Sequence, residues 1–477
     1  MAHEQRDVVV IGAGISGLVF AYRLKALGLD VALIEKSDRV GGVIQSETID
    51  GYLIERGPNS SQGTEELLAL VEELGISGEM FEGDPKAPAY VYFNKRLHAV
   101  PSGPVAFIKS GLLTPGGKLR ILAEPFQRVR RVQEEESVAA FARRRIGREA
   151  AERLVAPFVS GIYAGDAERL SVQAAFPRLA NLESGYGGLF RGMFAKAREA
   201  RRAKKAASLV LDKAAPARRR LVSFREGMGF LPRSLAARIG EDLVTRAEAL
   251  SVARPTGDQS RTGVFEVSFT RSGQSFTLAA RRVVVATPAH IAARLVAPFS
   301  SELGHLLEDI EYPPLATICL AYDVSAIRTP INGFGFLAAP SEGLDVLGCV
   351  WNSGLFKGRA PDGKALLTAF IGGARNPGVA GLSDDSLASR AHIELQQVLG
   401  ITGDPRVIAI TRYDRAIPQY SLGHVARVRA MEALLREIPG LTVVGNYLHG
   451  VSTGDCIKEA DRIAREFAES LHARDSG

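Results

Sequence analysis

The chain has 477 residues, of which 46% are hydrophobic and 23% charged, and its formal net charge is +6. This length predicts two or three domains with a large buried core. The positive charge suits an acidic small molecule, an anionic membrane face or nucleic acid, but no RNA- or DNA-binding motif is present, so nucleic acid is not expected. The three cysteines lie far apart without CxxC spacing, which indicates neither a disulfide framework nor a zinc site and favours a reducing compartment such as the cytoplasm.

The sequence also argues against export and membrane insertion. The N-terminus carries two acids and no basic cluster ahead of its short apolar run, so a signal peptide is not expected. No uncharged run reaches the roughly 18 apolar residues that a spanning helix requires, and the longest, from Val8 to Tyr22, belongs to the nucleotide-binding pattern described next. We therefore expect a soluble or peripheral protein.

A dinucleotide-binding pattern opens the chain. The β-branched run from Val8 to Ile11 predicts a buried strand that leads directly into Gly12-x-Gly14-x-x-Gly17 and a helix ended by Gly28. In this pattern the first glycine permits a tight turn, the second lets a pyrophosphate approach the backbone, and the third lets the helix pack closely on the strand. The phosphates are expected at the helix N-terminus, where free N–H groups and the helix dipole favour an anion.

A carboxylate follows at the spacing that this pattern requires. The strand predicted from Val31 to Ile34 ends at Glu35, which is placed to bind a ribose hydroxyl and disfavours NADP because it would repel the extra phosphate. The tail Arg39-Val40-Gly41-Gly42 resembles that of flavoproteins in the amine oxidase and protoporphyrinogen oxidase superfamily. This resemblance favours FAD over NAD.

Helices are predicted in two stretches of the chain that follow the dinucleotide-binding pattern. Thr64 is placed to cap a helix in which Leu67, Leu70, Val71 and Leu74 form one apolar face. The sequence from Val105 to Arg220 is mainly helical and ends in a dense basic run, for which two interpretations stay open. One is a solvated helix followed by a loop. The other is attachment to anionic lipid. The residues expected to supply hydrophobic contact in that case are Met193, Phe194, Leu209, Val210 and Leu211.

Strand patterns return in the second half. Leu243 to Ala253 and Phe265 to Ala279 alternate in polarity, and the apolar run from Val283 to Ala286 is expected to return to the first sheet. From about residue 291 to residue 412, short strands such as Ala316 to Ala321 and Leu366 to Ile371 alternate with helical connections. This mixture predicts a separate antiparallel-sheet domain that holds a substrate.

A second helix start marked by glycine lies near the C-terminus. A strand from Leu441 to Val444 leads through Gly445-Asn446 to Val451–Asp455, which opens a helix. Its core-facing stripe is predicted to be Ile457, Ala460, Ala464, Phe467 and Leu471. In a flavoenzyme, such a helix N-terminus stabilises the negative charge of reduced flavin. The alternative is an ordinary strand-to-helix turn.

Four blocks, taken in order, resemble one family over nearly the whole chain. They are Gly57-Pro58-Asn59-Ser60, Gly161-Ile162-Tyr163-Ala164-Gly165-Asp166, Ile417-Pro418-Gln419-Tyr420 with Leu422-Gly423-His424, and the segment from Gly445 to Ile457. They are similar to the protoporphyrinogen oxidases, of bacterial type. Amine oxidases and phytoene desaturases share the first and last blocks but not the two middle ones.

The resemblance implies an FAD-dependent oxidoreductase of heme and porphyrin biosynthesis that oxidises protoporphyrinogen IX to protoporphyrin IX, with O2 reduced to H2O2. We expect an α/β fold, α+β overall, and a peripheral membrane contact and a homodimer are compatible with it. The expected domains are a Rossmann-like FAD domain of residues 1–85, 164–290 and 410–477, a helical membrane-associating domain of residues 86–163, and a substrate domain of residues 291–409.

The resemblance also assigns site residues. The carbonyl of Gly161 is expected to face the ring nitrogens of the substrate, and neither a general base nor a metal ion is expected. The macrocycle is expected to contact Phe334, Leu337, Val350 and Phe370, each of which is equally compatible with plain core. The expected FAD contacts are Gly12, Ala13, Gly14, Ile15, Ser16, Gly17, Glu35, Lys36, Arg39, Gly42, Val43, Gly57, Pro58, Asn59, Ser60, Leu250, Val451, Ser452 and Thr453.

One departure from the family leaves the substrate open. Animal and plant members have an Arg that pairs with a propionate, where this sequence has Ala89. Lys86 or Arg96 is the alternative anchor, although Lys is a mobile point charge and not a bidentate fork. Coproporphyrinogen III, which carries four propionates, is therefore a second candidate substrate.

Two more distant alternatives are an FAD amine oxidase and a carrier of prenylated GTPases. Amine oxidases often pack an aromatic cage beside the flavin, and Gly450-Val451-Ser452 supplies no aromatic residue. The carriers share the fold but tend to lose the cofactor residues, which are intact here from Gly12 to Gly42.

Overall fold

The computed structural model describes residues 5–130, 134–207, 221–254 and 264–475. The chain divides into two compact units. The first comprises Met1–Gly83, Arg219–Glu311 and Ala426–Gly477, and the second comprises Asp84–Arg218 and Tyr312–Val425. The predicted three domains have other boundaries, and their functional roles remain a prediction. The end of the basic run, with Leu209, Val210 and Leu211, lies outside the described residues.

Strands and helices both contribute, so the mixed α/β fold is confirmed. The strands are β1 Gln5–Ile11, β2 Val31–Ile34, β3 Ser46–Ile49, β4 Tyr52–Glu55, β5 Ser61–Gln62, β6 Met80–Glu82, β7 Ala89–Phe93, β8 Arg96–Ala99, β9 Leu221–Phe224, β10 Leu243–Val244, β11 Ala247–Ala253, β12 Phe265–Arg271, β13 Gln274–Val285, β14 Leu315–Asp323, β15 Gly335–Ala338, β16 Val346–Trp351, β17 Lys364–Gly372, β18 Arg406–Tyr413 and β19 Leu441–Val443.

The helices follow the same order along the chain. They are α1 Ile15–Ala26, α2 Glu65–Glu73, α3 Pro104–Lys109, α4 Pro115–Leu122, α5 Val138–Ile146, α6 Arg148–Ala150, α7 Ala156–Tyr163, α8 Val172–Ala175, α9 Pro177–Tyr186, α10 Leu189–Ala207, α11 Phe230–Ile239, α12 Ala289–Val296, α13 Ser301–Glu308, α14 Asn352–Leu355, α15 Asp384–Leu399, α16 His424–Arg436 and α17 Thr453–Asp475.

The first unit is built on a sheet in the order β10-β2-β1-β13-β12-β11, with β19 beside β13. The strands β10, β2, β1, β13 and β19 are parallel. The apolar run in β13 does return to this sheet, since Val283, Val284 and Val285 pair with the strand that precedes the glycine loop. Such a parallel sheet places ligands at the carboxyl ends of its strands.

The alternating segment from Phe265 to Ala279 is divided between β12 and β13. These two strands form an antiparallel hairpin. The turn falls at Ser272 and Gly273, whose φ angles are +52° and +77°. Tight hairpin turns require positive φ, which explains the break at this glycine.

Two helices from opposite ends of the chain pack together in this unit. The rings of Phe20 in α1 and Phe467 in α17 meet edge to face, with centroids 5.6 Å apart. Ile457, Ala460 and Ala464 join the same core, so four members of the predicted stripe are buried as expected. The side chain of the fifth, Leu471, lies outside the described residues.

The helix predicted after Thr64 is also confirmed. The Thr64 hydroxyl accepts a hydrogen bond from the Leu67 N–H at 3.3 Å, which is the usual N-cap geometry. The four leucine and valine side chains of the predicted apolar face are buried in the core of the first unit.

The second unit contains a sheet in the order β18-β14-β17-β16-β15-β7-β8. Its pairings are antiparallel except the parallel pair β15 and β7, so an antiparallel-dominated sheet is confirmed. One face packs with α15 around Trp351, Leu367 and Leu395. The strands β7 and β8 lie in a region expected to be helical. Their hairpin turns at Asn94 and Lys95, which both have positive φ.

The helical part of the second unit is held by a buried ion pair. Arg145 and Glu124 are both fully buried and form a salt bridge. The Glu124 carboxylate also accepts the N–H groups of Leu189, at 2.7 Å, and Phe190, at 3.1 Å. Glu124 therefore caps the N-terminus of α10 and ties it to α5. Within the described residues, none of the helices combines the length and apolarity needed to cross a bilayer.

The first prediction concerns this ion pair. Glu124→Gln keeps the side-chain shape but removes one of the two carboxylates that face the buried Arg145 charge, and it leaves Glu183 at 3.4 Å. Removing one partner of a buried ion pair costs up to about 3–5 kcal/mol in comparable proteins. We expect a loss of this size in the free energy of unfolding, measured by urea denaturation followed by circular dichroism.

A matched control is Glu152→Gln. Its partner Arg148 is 82% exposed, and exposed pairs contribute at most about 1 kcal/mol. Equal losses of unfolding free energy in the two variants would show that the buried Glu124–Arg145 pair stabilises the fold no more than an exposed pair does.

Candidate functional site

The structure gives the three glycines of the first loop different surroundings. Gly12 has a φ of +103°, and a Cβ there would lie 2.9 Å from the carbonyl oxygen of Ala286. A Cβ on Gly17 would lie 2.0 Å from the carbonyl oxygen of Gly12. A Cβ on Gly14 would meet no protein atom within 4 Å. The first and third glycines are thus required by packing, whereas the second faces open space.

The helix that follows begins beside the open space at Gly14. Gly14 is the N-cap residue of α1, and no side chain caps the helix. The predicted residues Ala13, Ile15 and Ser16 surround this helix start and are buried. Free N–H groups beside open space form a suitable setting for an anion such as a pyrophosphate.

The Arg-Val-Gly-Gly tail folds onto this loop. The Gly41 N–H donates to the Ala13 carbonyl at 2.8 Å, and Gly14 and Gly41 form an isolated parallel bridge. Arg39 Nη1 donates to the Gly42 carbonyl at 2.8 Å and so closes the tail on itself. A Cβ on Gly42 would lie 3.5 Å from the Gly14 Cα.

The next two predicted segments continue from this tail. Val43 is 49% exposed. A Cβ on Gly57 would lie 2.0 Å from the Val43 carbonyl oxygen, so the two backbones touch. Pro58, Asn59 and Ser60 follow and are half-buried.

Glu35 lies at the carboxyl end of β2 with its carboxylate held by the backbone. Its Oε2 accepts the Ala13 N–H at 2.7 Å, and its Oε1 accepts the Ser37 N–H at 2.8 Å. Each carboxylate oxygen retains a further lone pair for a ligand hydroxyl. Beside it, Lys36 Nζ pairs with Glu248 Oε1 at 2.8 Å, which connects β2 with β11.

Leu250 lies two residues beyond Glu248 in the same strand. It is 56% exposed and falls where the register of β11 and β12 shifts between Ala249 and Ser251. A large apolar side chain on the surface at a β-bulge is available for contact with a flat ring such as adenine.

The second helix start converges on the first. Val451, Ser452 and Thr453 form the N-terminus of α17, where Ser452 Oγ accepts the Asp455 N–H at 3.1 Å and donates to Asp455 Oδ2 at 2.6 Å. The Cys456 thiol is hydrogen-bonded to Ser16 in α1, and burial raises its pKa to about 12. The thiol is therefore neutral, and it joins the two helix starts without acting as a nucleophile.

Three of the four predicted macrocycle residues lie on one face of the second sheet. Gly348 pairs with Leu337 on one side and with Phe370 on the other, and Gly335 pairs with Val350. Directly paired and alternate residues share a face, so Leu337, Val350 and Phe370 lie together on the face opposite the α15 core. Because Gly335 and Gly348 carry no side chains, nothing protrudes from this apolar face at those two positions.

Gly161 lies against this face. A Cβ on Gly161 would lie 2.4 Å from Leu337 Cδ2, so a larger residue at this position of α7 would require the Leu337 side chain to move. Phe334 immediately precedes β15, and its carbonyl accepts the Trp351 N–H at 3.0 Å. The structure therefore brings Gly161 and the predicted substrate residues into one part of the second unit.

The carbonyl of Gly161 belongs to the last turn of α7. The last four carbonyls of a helix lack intrahelical partners and are free to accept hydrogen bonds from outside. The helix enters this turn through a π-helical segment, Ala151–Val155. Pro157 explains the wider turn, since it has no N–H to donate within the helix.

The structure also distinguishes between the proposed replacements for the missing arginine. Ala89 is exposed at one end of the β7–β8 hairpin and pairs with Gly335. Arg96 pairs with Phe93 at the other end, about 13 Å along the strand. Lys86, which is exposed, lies at the same end as Ala89. Lys86 is thus the better placed of the two cations.

One element beside the glycine loop was missed in the sequence. The turn Gly227–Gly229 is held by Glu55, which is buried and accepts the Met228 N–H at 2.9 Å. The following Pro232 lies 3.0 Å from where a Cβ on Gly41 would be. The signal was the Gly-Met-Gly pattern just before α11, which resembles a glycine-rich loop opening a helix.

Within the described residues, no group of three or more His, Cys, Asp or Glu residues is arranged to hold a metal ion. The residues collected around the first helix start instead match the needs of a dinucleotide: free backbone donors, a held carboxylate and open space at a glycine.

Comparisons with known proteins agree with this geometry. The chain matches the family model described as flavin containing amine oxidoreductase over residues 15–467. Protoporphyrinogen oxidase 1 of Spinacia oleracea chloroplasts is 34% identical over 98% of this chain and 84% of its own length. Coproporphyrinogen III oxidase of Bacillus subtilis (strain 168) is 28% identical over 96% of this chain and 97% of its own length.

Solved structures show the same fold. A crystal structure from Exiguobacterium sp. 255-15 superposes with a TM-score of 0.79 at 24% identity and covers 98% of this chain and 99% of that chain. The expected flavin cofactor and oxidoreductase class are confirmed by the family match. The chain is an FAD-dependent oxidoreductase and belongs to the flavin containing amine oxidoreductases, in the family that includes the protoporphyrinogen oxidases.

Proposed function

We propose that the protein oxidises protoporphyrinogen IX to protoporphyrin IX in heme biosynthesis. The observation that carries this proposal is the apolar face of Leu337, Val350 and Phe370 with the last turn of α7 lying against it. A porphyrinogen is a wide apolar ring with polar N–H groups at its centre. An apolar face and a neighbouring backbone carbonyl match these two features.

The chemistry requires little from side chains. When bound, FAD would supply the hydride acceptor and pass each electron pair to O2. Three such rounds remove three hydrides and three protons from protoporphyrinogen IX, and three O2 are reduced to three H2O2. The pyrrole nitrogens themselves stabilise the cation that hydride loss creates, so a strong side-chain base is not required. The protein contributes mainly by orienting the ring, with the Gly161 carbonyl accepting hydrogen bonds from the pyrrole N–H groups.

We propose that FAD is held by the predicted residues of the first unit. Gly14 leaves room for the pyrophosphate at the N-terminus of α1, and Glu35 receives a ribose hydroxyl. The N-terminus of α17, at Val451–Thr453, favours the negative charge of the reduced cofactor through its dipole and free N–H groups. The structural basis is the hydrogen bond between Ser16 and Cys456, which keeps the two helix starts together.

Coproporphyrinogen III is the second candidate substrate. It shares the macrocycle but carries four propionates, and a bacterial relative is named for its oxidation. The sequence has Ala89 where a propionate-binding Arg is expected, which favours a different arrangement of charge around the ring. We propose that Lys86 takes this role, since it lies at the same end of the hairpin. An amine oxidase is less well supported, because Val451 and its neighbours provide no aromatic cage.

We further propose that the helical part of the second unit contacts a membrane surface, while a homodimer remains a prediction. The helices α3, α4 and α10 share a small core that includes Phe107, Ile121 and Phe190. The same helices and the turn after α4 also expose several large apolar side chains near one another. Surfaces that face water usually expose such side chains only singly. The most exposed are Val105 at 66%, Ile108 at 70%, Leu119 at 66%, Phe126 at 83% and Phe194 at 75%.

The proposed pyrophosphate site predicts different outcomes for two neighbouring glycines. In Gly14→Ala the new methyl group meets no protein atom but occupies the proposed phosphate space. We expect FAD affinity to fall at least about tenfold while the melting temperature of the apoprotein is unchanged. Isothermal titration with FAD and thermal denaturation measure the two effects.

Gly17→Ala is the matched comparison. Its methyl group would collide with the Gly12 carbonyl, so we expect a loss of stability of the apoprotein itself. If Gly14→Ala bound FAD as tightly as the unaltered protein, the phosphate would lie elsewhere.

The substrate proposal is tested by a paired turnover assay. With purified holoenzyme, we expect kcat/KM for protoporphyrinogen IX to exceed that for coproporphyrinogen III, measured by the appearance of porphyrin fluorescence. The reverse ratio would make coproporphyrinogen III the substrate. Oxidation of neither compound would overturn the proposed function.

The same assay tests the propionate anchor. Lys86→Ala is expected to raise KM for the preferred substrate with little change in kcat, because it removes binding energy that ground state and transition state share. Arg96→Ala is the control, since Arg96 lies at the far end of the hairpin. Equal effects of the two substitutions would contradict the assignment of Lys86.

The membrane proposal predicts binding to vesicles that contain anionic phospholipid. In the double variant Phe126→Ser and Phe194→Ser, we expect the apparent affinity to fall at least about tenfold, because two apolar contacts with the acyl region are removed. Cosedimentation measures it. The control is Ile393→Ser, a residue 60% exposed on α15. No binding by the unaltered protein, or equal binding by all three, would contradict the proposal.

A further inference from the structure

The two middle sequence blocks meet at the C-terminal end of α7. The block from Gly161 to Asp166 contains the last turn of this helix, and the block from Ile417 to His424 lies 256 residues further along the chain. Leu170 and Ser421 form a β-bridge. The Ser171 N–H donates to the Tyr420 carbonyl at 2.8 Å, so the second block is joined by its backbone to the segment that follows the first block.

Gln419 makes the central side-chain contact between the blocks. It is 3% exposed. Its Nε2 donates to the Tyr163 carbonyl at 2.8 Å and to the Ile417 carbonyl at 3.0 Å. Tyr163 is the last residue of α7, so the amide occupies one of the terminal carbonyls that the helix itself leaves without a partner.

The backbone after Tyr163 is held in a conformation that needs support. Ala164 has a φ of +47°, which is unfavourable for a residue with a Cβ. Its carbonyl accepts the Ala374 N–H at 2.7 Å. A Cβ on Gly165 would lie 2.6 Å from Gln419 Oε1, so the side chain of Gln419 passes directly beside the turn. The turn is thus held by two contacts: Gln419 binds the Tyr163 carbonyl, and the Ala374 N–H binds the Ala164 carbonyl.

Aromatic packing closes the same site. Tyr163 contacts Tyr420, with ring centroids 5.8 Å apart, and Phe176, also at 5.8 Å. Its hydroxyl donates to the Ala175 carbonyl at 3.0 Å. The last turn of α7 can therefore change direction only if these contacts break together.

From this geometry we infer that Gln419 is a positioning residue for the oxidation step. By binding the Tyr163 carbonyl, it fixes the direction of the last turn of α7 and therefore of the Gly161 carbonyl two residues earlier. This inference rests on the proposed function, in which that carbonyl orients the porphyrinogen. Gln419 itself need not touch the substrate.

An isosteric change separates this role from simple packing. Gln419→Met keeps an unbranched side chain of similar volume but removes the amide donor. The control is Gln397→Met, at an exposed glutamine that also donates a hydrogen bond. Gln397 lies on α15 and donates to the Tyr92 hydroxyl at 3.1 Å in the same unit, so the control loses the same kind of group away from α7.

The measurement is stopped-flow absorbance of the holoenzyme flavin in two half-reactions. Anaerobic mixing with protoporphyrinogen IX or coproporphyrinogen III gives the rate of flavin reduction, which depends on substrate orientation. Mixing of the reduced enzyme with O2 gives the rate of reoxidation, which does not. For Gln419→Met we expect flavin reduction to slow at least about tenfold. The reoxidation rate and the FAD content should stay within about twofold of the control, and the melting temperature within a few degrees.

Two outcomes would overturn the inference. One is flavin reduction at the rate of the unaltered enzyme. The other is a parallel slowing of both half-reactions with loss of FAD, which would mean a general structural role. If Gln419→Met fails to fold, Gln419→Glu, which keeps the shape and replaces the donor by an oxygen, is subject to the same comparison. An unaltered enzyme that neither porphyrinogen reduces would instead overturn the proposed function, which is a distinct result.

Discussion

The close approach of α1 to the turn that precedes it is the constraint on which the first unit depends. At Gly17 the helix lies so near the Gly12 carbonyl that no side chain fits between them. This contact sets the helix at a fixed height over the end of the parallel sheet and leaves open space at Gly14. The anion-binding property of the helix start is thus a consequence of backbone packing, and it requires no charged side chain.

The C-terminal helix depends on the same arrangement. Because α1 is fixed on the sheet, α17 can pack along it through Phe20 and Phe467. That packing carries the N-terminus of α17 to Ser16, where Cys456 is hydrogen-bonded. The N-termini of α1 and α17, which carry the positive ends of the two helix dipoles, therefore lie close together. This arrangement is unfavourable by itself. A bound group that carries negative charge at both places relieves it, which is the property expected of FAD.

Much of the first unit could be predicted because its signals are local. The strand, glycine loop and helix from Val8 to Ala26, the cap at Thr64 and the buried stripe of α17 each show their pattern within a few turns. The hairpin from Ala89 to Ala99 was missed because it is short and stands among helices, although its turn at Asn94 and Lys95 carried a hairpin signal. In β12 and β13, alternation was recognised but not the break at Gly273.

Contacts between distant residues were not predictable from any local pattern. The partners Gln419 and Tyr163, or Glu124 and the N-terminus of α10, are recognisable only when the chain is folded. The resemblance to a family identified the two middle blocks as meaningful without giving the reason for their pairing. The structure supplies one physical reason: the second block provides the hydrogen-bond donor and the aromatic surface that hold the end of the helix in the first.

Under the proposed function, the second unit separates the recognition of the ring from the recognition of its substituents. Leu337, Val350, Phe370 and the Gly161 carbonyl present an apolar surface and a polar centre, which every porphyrinogen can use equally. Charged groups such as Lys86 lie at the end of a hairpin, on the exposed margin of the sheet. A substitution at the margin can therefore alter which propionates are bound without disturbing the surface that orients the ring.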